Sequence, residues 1–415
     1  MKKYLFILAM LSVTAHAQIL TLHESIDKTL ATHPNIKNFM LDISLSEQNY
    51  LSARSAYLPQ INLQAQYDLQ HTYSLPQNGV FNTLEKAGYQ AGVSVGQKIW
   101  DFSKTSSKID ASQLDKEIAE LSVEDAKALM IYKVESLYAT MIVQKKAIDV
   151  RKKDMQTKQE LYNQAQALVR EGIKASSDET RFLSSYYEAK DVLSTAQASF
   201  DKTKSTLSLY MGEKISADVA LEEGLLENKK SMKAYDENLL NENSELKIQE
   251  QNIQKNILQH QSAKASHYGS IDAVASFTHF DNLNAYDASV VGVVLSVPLY
   301  SGGNISATEQ IAGIAINKSK ELKNAKLLEL QEELHGLFID LERYENTIVA
   351  KQAQLEAAKS TEKVLGARYK EGLATYIELL DATTFLLASE LGLLEAYFSR
   401  SMAQNRIKYL TGKQI

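Results

Sequence analysis

The chain has no cysteine, only 4 prolines and 17 glycines among 415 residues, and a single tryptophan. Without cysteine there are no disulfides and no thiolate metal sites, and nothing follows the leader to carry a lipid anchor. Packing alone must hold the protein together. With so little proline and glycine, no stretch reads as a linker, and one elongated helical body suits this length better than two or three ordinary domains. An excess of basic charge is also missing. The 45 Lys and Arg stand against 51 Asp and Glu, a formal net charge of −6, which excludes the basic stripe a nucleic-acid partner requires. An acidic interior favouring cations stays open.

Catalytic fingerprints are lacking as well. No His-Glu-x-x-His pair, P-loop or dinucleotide-binding glycine motif occurs, and Gly302-Gly303 is a strand-to-helix turn with no Lys-Ser/Thr behind it. The histidines (His23, His33, His71, His260, His267, His279, His335) are scattered, whereas metal sites need convergent ligands. No catalytic, cofactor-binding or metal site is therefore expected.

The one long apolar run, Tyr4 to Val13, is about ten residues, well short of the roughly 20 that a spanning helix needs. Lys2 and Lys3 precede it and Ala15-His16-Ala17 follow, so 1–17 reads as a secretory signal peptide cleaved before Gln18. No membrane helix is expected later in the chain.

What the sequence does contain is a duplication. At an offset of about 200 to 210, Tyr57-Leu58-Pro59-Gln60-Ile61-Asn62-Leu63 answers to His267-Tyr268-Gly269-Ser270-Ile271-Asp272-Ala273, and Ile99-Trp100-Asp101 to Leu299-Tyr300-Ser301. Arg170-Glu171-Gly172-Ile173 answers to Lys370-Glu371-Gly372-Leu373, and Tyr210-Met211-Gly212-Glu213 to Leu410-Thr411-Gly412-Lys413. The first repeat divides into a short helix (18–56), a β-hairpin (57–100, strands near 57–70 and 89–100) and a long helix with a returning one (101–212). After a connecting stretch (213–235) the second repeats the series at 236–267, 268–300 (strands near 268–280 and 288–300) and 301–415.

Leu114, Ile118, Leu121, Leu129, Val134, Leu137 and Met141 recur at helical spacing. A long helix of about 70 residues rises about 100 Å, and the short and returning helices together match that length. Packing the two shorter helices along the flank of the long one is the simple solution, with the connecting stretch outside. Gly172 and Gly372 fall where a left-handed residue ends a helix, with Lys and Arg suiting its negative end.

From Ile61 to Gln70 apolar and polar residues alternate without error, and Tyr89 to Ile99 do the same against Gln90 to Lys98. Val291, Val293, Leu295, Val297 and Leu299 alternate less strictly. About ten residues is the length of a tilted membrane strand. Tyr57, Trp100, Tyr268 and Tyr300 cluster at one end of the strands and Tyr73, Phe81, Phe280 and Tyr286 near the other, as interfacial girdles would. Strand by strand, a small soluble β-domain capping a coiled coil stays open as the alternative. Four similar strands at one architectural position favour lipid. Unpaired edges are not tolerated in hydrocarbon and the smallest barrels need about eight strands, so four strands demand oligomerisation into roughly 8, 12 or 16.

Taken in order, several segments resemble the TolC-like outer membrane factors of efflux pumps and type I secretion systems. They are Thr32-His33-Pro34-Asn35-Ile36, Ala53-Arg54 with Tyr57-Leu58-Pro59-Gln60-Ile61, Val297-Pro298-Leu299-Tyr300-Ser301-Gly302-Gly303, and Tyr369-Lys370-Glu371-Gly372-Leu373-Ala374-Thr375 running into Leu380-Asp381-Ala382-Thr383-Thr384. The resemblance covers the whole mature chain. It implies a mainly helical fold whose duplicated hairpins form an α-barrel, with four strands per chain contributing to a 12-stranded transmembrane β-barrel in a homotrimer. It also implies a location in the outer membrane with extension into the periplasm, and partnership with a periplasmic adaptor and an inner-membrane transporter.

By the same resemblance the adaptor-contact positions are Gly172, Ile173, Lys174 and Ala175 with Gly372, Leu373, Ala374 and Thr375. Glu378 and Asp381 match acidic residues lining a closed constriction, and a spacing of three puts both carboxylates on one helix face. Ser177 and Asp178 match polar residues that tie neighbouring helix pairs, and Tyr369 keeps an aromatic partner position. Where some members set an arginine against them, this chain has Ala374. A soluble periplasmic coiled-coil scaffold or adaptor is the second functional reading, although an adaptor usually shows one helical hairpin flanked by β-rich domains.

Overall fold

A computed structural model describes residues 19–74, 82–217, 219–222, 226, 235–281 and 285–412. The expected leader, Phe81 and part of 213–235 lie outside the described residues, as does the side chain of Tyr73. In chain order the elements are β1 (Ile19–Leu20), α1 (Leu22–Thr32), α2 (Pro34–Ser55), β2 (Gln60–Ser74), β3 (Asn82–Trp100), α3 (Lys104–Arg170), α4 (Ser176–Met211) and β4 (Ala220–Leu221). A 3-10 helix (Glu237–Glu242), α5 (Ser244–Ala265), β5 (Ser270–Asp281), β6 (Ala285–Ser296), α6 (Asn304–Lys370) and α7 (Tyr376–Leu410) follow. The duplication is exact enough that α3 and α6 both have 67 residues. Two compact units result: Asn38–Asp125 with Asn243–Glu329, and the rest of the chain. Each draws on both repeats.

The unit of Asn38–Asp125 and Asn243–Glu329 holds an antiparallel sheet in the order β2-β3-β5-β6, so the repeats meet where β3 pairs β5. β2 bonds only β3 and β6 only β5 among the described strands, which leaves an unpaired edge on each side. The odd-numbered row expected to be apolar is open: Ile61, Leu63, Tyr67 and Leu69 on β2 and Val291, Val293 and Leu295 on β6 are all exposed. On the opposite face of β2 and β3 side-chain amides pair, with Gln90 donating to Gln66 at 2.8 Å. The first hairpin extends further than its alternation suggested, because backbone pairing continues to Ser74 opposite Asn82. The last strand is shorter. It ends at Ser296, and Val297 to Tyr300 leave the sheet where Pro298 has no N–H for a ladder. Below the sheet, α5 is pinned to α3 by Lys255 to Asp115 (2.9 Å) and to α6 by Lys323 to Glu250 (2.6 Å). Such partly exposed pairs contribute about 0–1 kcal/mol each, so they orient the helices more than they stabilise them.

The other unit corrects the expectation of one short helix over 18–56. Helix α1 stops at Thr32 because His33 precedes Pro34, whose ring disfavours helical backbone before it, and His33 is extended (φ −64°, ψ 127°). A matching break falls at Asn243, whose side chain caps α5 by accepting from the Leu246 N–H at 3.1 Å. The shorter helices do meet end to end: the Thr32 hydroxyl donates to the Met211 carbonyl at the end of α4 (3.0 Å). The connecting stretch is packed where it is described, not merely outside. Strand β4 pairs β1 in parallel, and Ile215, Val219 and Leu226 are buried with Val134, Tyr138, Met141, Leu207 and Met211. The Tyr138 hydroxyl donates to the Leu20 carbonyl (2.6 Å) and accepts from the Glu222 N–H (3.0 Å). Arg400, also buried, donates to the Leu226 carbonyl at 2.9 Å. Among the described residues no helix is long and apolar enough to cross a membrane.

Candidate functional site

The long helices end in the same way. Gly172 (φ +74°) and Gly372 (φ +77°) take the left-handed conformation that a side chain resists. The next N–H closes a six-residue ring in each repeat, Ile173 to the Leu168 carbonyl (2.9 Å) and Leu373 to the Arg368 carbonyl (2.8 Å). Both turns are Schellman caps. Each then presents a large exposed apolar residue, Ile173 at 58% and Leu373 at 64% exposure.

Behind the turns the two hairpins pack on one another. Leu161 and Ala165 of α3, Phe182 of α4, Tyr369 of α6, Ala374, and Leu379 of α7 form a buried cluster. Phe182 lies edge-on to Tyr369 (centroids 5.8 Å apart) and to Tyr376 (5.9 Å), the geometry in which ring quadrupoles attract. The Arg181 guanidinium lies 4.9 Å from the Tyr376 centroid. Lys174 crosses from the first turn to the second, 5.4 Å from the Tyr369 centroid, donating to the Ala374 carbonyl at 3.5 Å.

The residues expected to act here divide. Gly172, Ile173, Ala175, Gly372, Leu373 and Thr375 are exposed, Lys174 is half-buried, and Ala374 is buried. Ser177 is exposed and Asp178 half-buried. The Tyr369 hydroxyl is fully buried with no hydrogen-bond partner among the described residues. Burial raises its pKa first and the charge of Asp178 raises it further. Glu378 and Asp381 are both exposed at the start of α7.

Glu378 also has a local task. Its carboxylate accepts from the Thr375 N–H (2.7 Å) and hydroxyl (2.9 Å), while the Thr375 hydroxyl accepts from the Glu378 N–H (3.2 Å). This is a capping box. Those bonds, the backbone one first, hold the Glu378 carboxyl below its ordinary value. The sequence signature of the box is Thr375-x-x-Glu378. The first repeat has Ala175 at the equivalent cap, with no side-chain bond.

At the sheet's helix-side end, Trp100 and Tyr268 are about half exposed and Tyr300 is 91% exposed. Tyr57 is half-buried, its hydroxyl donating to the buried carboxylate of Asp101 at 3.4 Å. Phe102 was missed. Its backbone is left-handed (φ +56°) and its ring bridges Trp100 (6.1 Å) and Tyr268 (5.3 Å). A Trp followed two residues later by Phe was the available signal.

An open-edged sheet with a bare apolar row, joined to paired helical hairpins, is the fold of an outer-membrane exit duct. The family profile described as "Outer membrane efflux protein" matches residues 25–213 and 237–413; the chain belongs to that family, which is non-enzymatic and works with adaptors and inner-membrane transporters. It resides in the outer membrane and serves efflux or secretion. Outer membrane protein TolC of Escherichia coli (strain K12) is 23% identical over 447 aligned residues, covering 99% of this chain and 87% of TolC. Over a third of the chain, the proteases secretion protein PrtF of Dickeya chrysanthemi is 27% identical, covering 29% of PrtF. The crystal structure of the outer membrane protein VceC from Vibrio cholerae superposes with a TM-score of 0.83 at 15% identity, covering 94% of this chain and 96% of VceC.

Proposed function

We propose that three copies of this chain join β2 of one to β6 of the next, closing a 12-stranded barrel in the outer membrane, and that their helical hairpins form a duct that an adaptor opens at the Gly172 and Gly372 turns. The unpaired edges of β2 and β6 carry this reading, because edges are not left open in hydrocarbon. Four strands per chain also need partners to close, and 12 leave a lumen wide enough for solute. The girdle is then Tyr57, Trp100, Tyr268 and Tyr300, with Phe102 added.

At the tip, the exposed Ile173 and Leu373 on matched glycine turns offer the adaptor equivalent apolar contacts. Glu378 and Asp381 ring the constriction, where three-fold symmetry brings carboxylates together and binds cations that obstruct the aperture. Asp178, Ser177 and Tyr369 shape the closed state beside them. An inner-membrane transporter drives export. The likeness to PrtF favours protein among the cargoes such a duct would pass. Purified protein should run as a heat-modifiable trimer in detergent and conduct in planar bilayers. Replacing Glu378 and Asp381 together by Ala should raise conductance and weaken block by multivalent cations. A monomer, or a silent bilayer, would sink the proposal.

A further inference from the structure

We propose that the pairing of β3 with β5 inside one chain is the template for the seam between chains, so that β6 meets the β2 edge of the next copy in that same register. The proposal rests on the preceding reading for the trimer and goes beyond it in fixing which residues meet. The repeat holds down to single rungs of the sheet. Gln60 pairs Gly96 in the first hairpin, and Ser270 pairs Ser296 in the second. An offset of 210 on the first strand and 200 on the second therefore carries one ladder onto the other. Between β3 and β5, Val95 stands opposite Ala275, Val93 opposite Phe277 and Ala91 opposite His279. Carried by the same offsets to the open edges, these rungs become Leu295 opposite the partner's Ala65, Val293 opposite the partner's Tyr67 and Val291 opposite the partner's Leu69. All six lie in the row that is bare in the single chain.

Two features of β6 and its exit have no cause within their own chain. Gly92 is needed where β3 meets β5, because a Cβ there would stand 2.8 Å from the Phe277 carbonyl oxygen and 2.5 Å from the Thr278 hydroxyl. Its counterpart Gly292 has nothing among the described residues within 4 Å of the same point. Glycine weakens a strand unless another backbone approaches closely. In the proposed register Gly292 stands opposite the partner's Asp68, and the approaching backbone is the partner's. The second feature is Val297 to Tyr300, which leave the sheet with Leu299 95% and Tyr300 91% exposed. Their counterparts Ile99 and Trp100 lie within β3, with Trp100 opposite Ile271 after a shift in register. The same step sets Tyr300 opposite the partner's Ile61. Pro298 has no N–H to donate, so this stretch covers apolar surface more than it extends the ladder.

The chain has no cysteine, so introduced pairs report directly in the full-length protein. Opposed residues lie within the roughly 7 Å between Cα atoms that a disulfide tolerates, and residues two places along lie at about 7–8 Å. Inside one chain β3 and β5 separate β2 from β6, a gap of about 14 Å, so any link joins two copies. Val293→Cys with Tyr67→Cys should give covalent dimers and trimers on mild oxidation, and Tyr300→Cys with Ile61→Cys should do the same. Linking of Val293→Cys to Ala65→Cys or Leu69→Cys in preference to Tyr67→Cys overturns the register and leaves the trimer standing. So does the absence of every link in a protein that still runs as a trimer. A monomer without links overturns the trimer as well. Failure of the Tyr300 pair alone overturns the seating of Val297 to Tyr300 on the neighbour. Gly292→Val suits a strand and should abolish the detergent-resistant trimer, whereas Gly96→Ser, which copies Ser296, should leave it intact. A Gly292→Val trimer as resistant as the parent overturns the close approach at the seam.

Discussion

Phe182 packs at the centre of the contact between the two hairpins behind their glycine turns. It is fully buried, and its ring edges meet Tyr369 from α6 and Tyr376 from α7. Phe182→Ala removes a whole ring from the seam between hairpins that are otherwise joined there by Leu161, Ala165 and Leu379. Large-to-small changes of this kind cost about 3–5 kcal/mol, and two ring pairs add about 0.5–1.5 kcal/mol each to the native state. A tip beside exposed turns can relax, so the lower figure, about 3 kcal/mol, is the reasonable one. At about 1.4 kcal/mol per decade this is roughly a hundredfold in the local opening equilibrium. Native-state hydrogen exchange on the assembled protein should show that acceleration in 176–186 and 368–380, with the sheet unaffected. Tyr187→Ala, which truncates a ring already 58% exposed, is the control and should change exchange less than about threefold. If Phe182→Ala and Tyr187→Ala were indistinguishable at the tip, the cluster would not be what joins the hairpins.

Other expectations follow from neighbouring contacts. Thr375→Ala should fray the first turn of α7 by about 1 kcal/mol, visible as faster exchange at 376–380, while Ala175→Thr should slow exchange at the equivalent turn of α4. Since the folded Glu378 carboxyl is held low, its contribution is fully present above its ordinary value of 4.5 and is lost as pH falls through the lower folded value. Acidification below pH 4.5 should therefore loosen the start of α7, and Thr375→Ala should move that transition upward. Gly372→Ala meets no neighbour within 4 Å, so its cost of about 1 kcal/mol or more should be purely backbone strain, and it should match Gly172→Ala in thermal melts. Tyr138→Phe leaves the Leu20 carbonyl and Glu222 N–H without their shared partner and should cost about 1–3 kcal/mol, read by chemical unfolding.

Much of the candidate site was legible one element at a time. The turn glycines announced both helix ends, alternation found three strands, and the duplication supplied the fourth. Where sequence reading erred, a longer-range or competing effect decided. Alternation marked Val297 to Tyr300 as strand, but the backbone pairing stopped at Ser296. The run over 18–56 looked continuously helical, yet Pro34 divides it. Glu378 was noticed for its charge and not for its cap. Phe102 lies beyond the end of β3, and its ring is placed by a left-handed backbone angle that the spacing from Trp100 does not specify.

By itself the sequence determined the duplication, the length of the long helices, the turns and the four strands of the larger sheet, because each is written in local spacing and in residues with few backbone choices. Only the tertiary structure decided that β3 and β5 splice the repeats, that the stretch after α4 is anchored by Tyr138 and Arg400, and that Lys174 reaches Ala374. Those contacts join residues up to 200 positions apart. They depend on which faces end up opposed once the elements pack, and no local pattern encodes that.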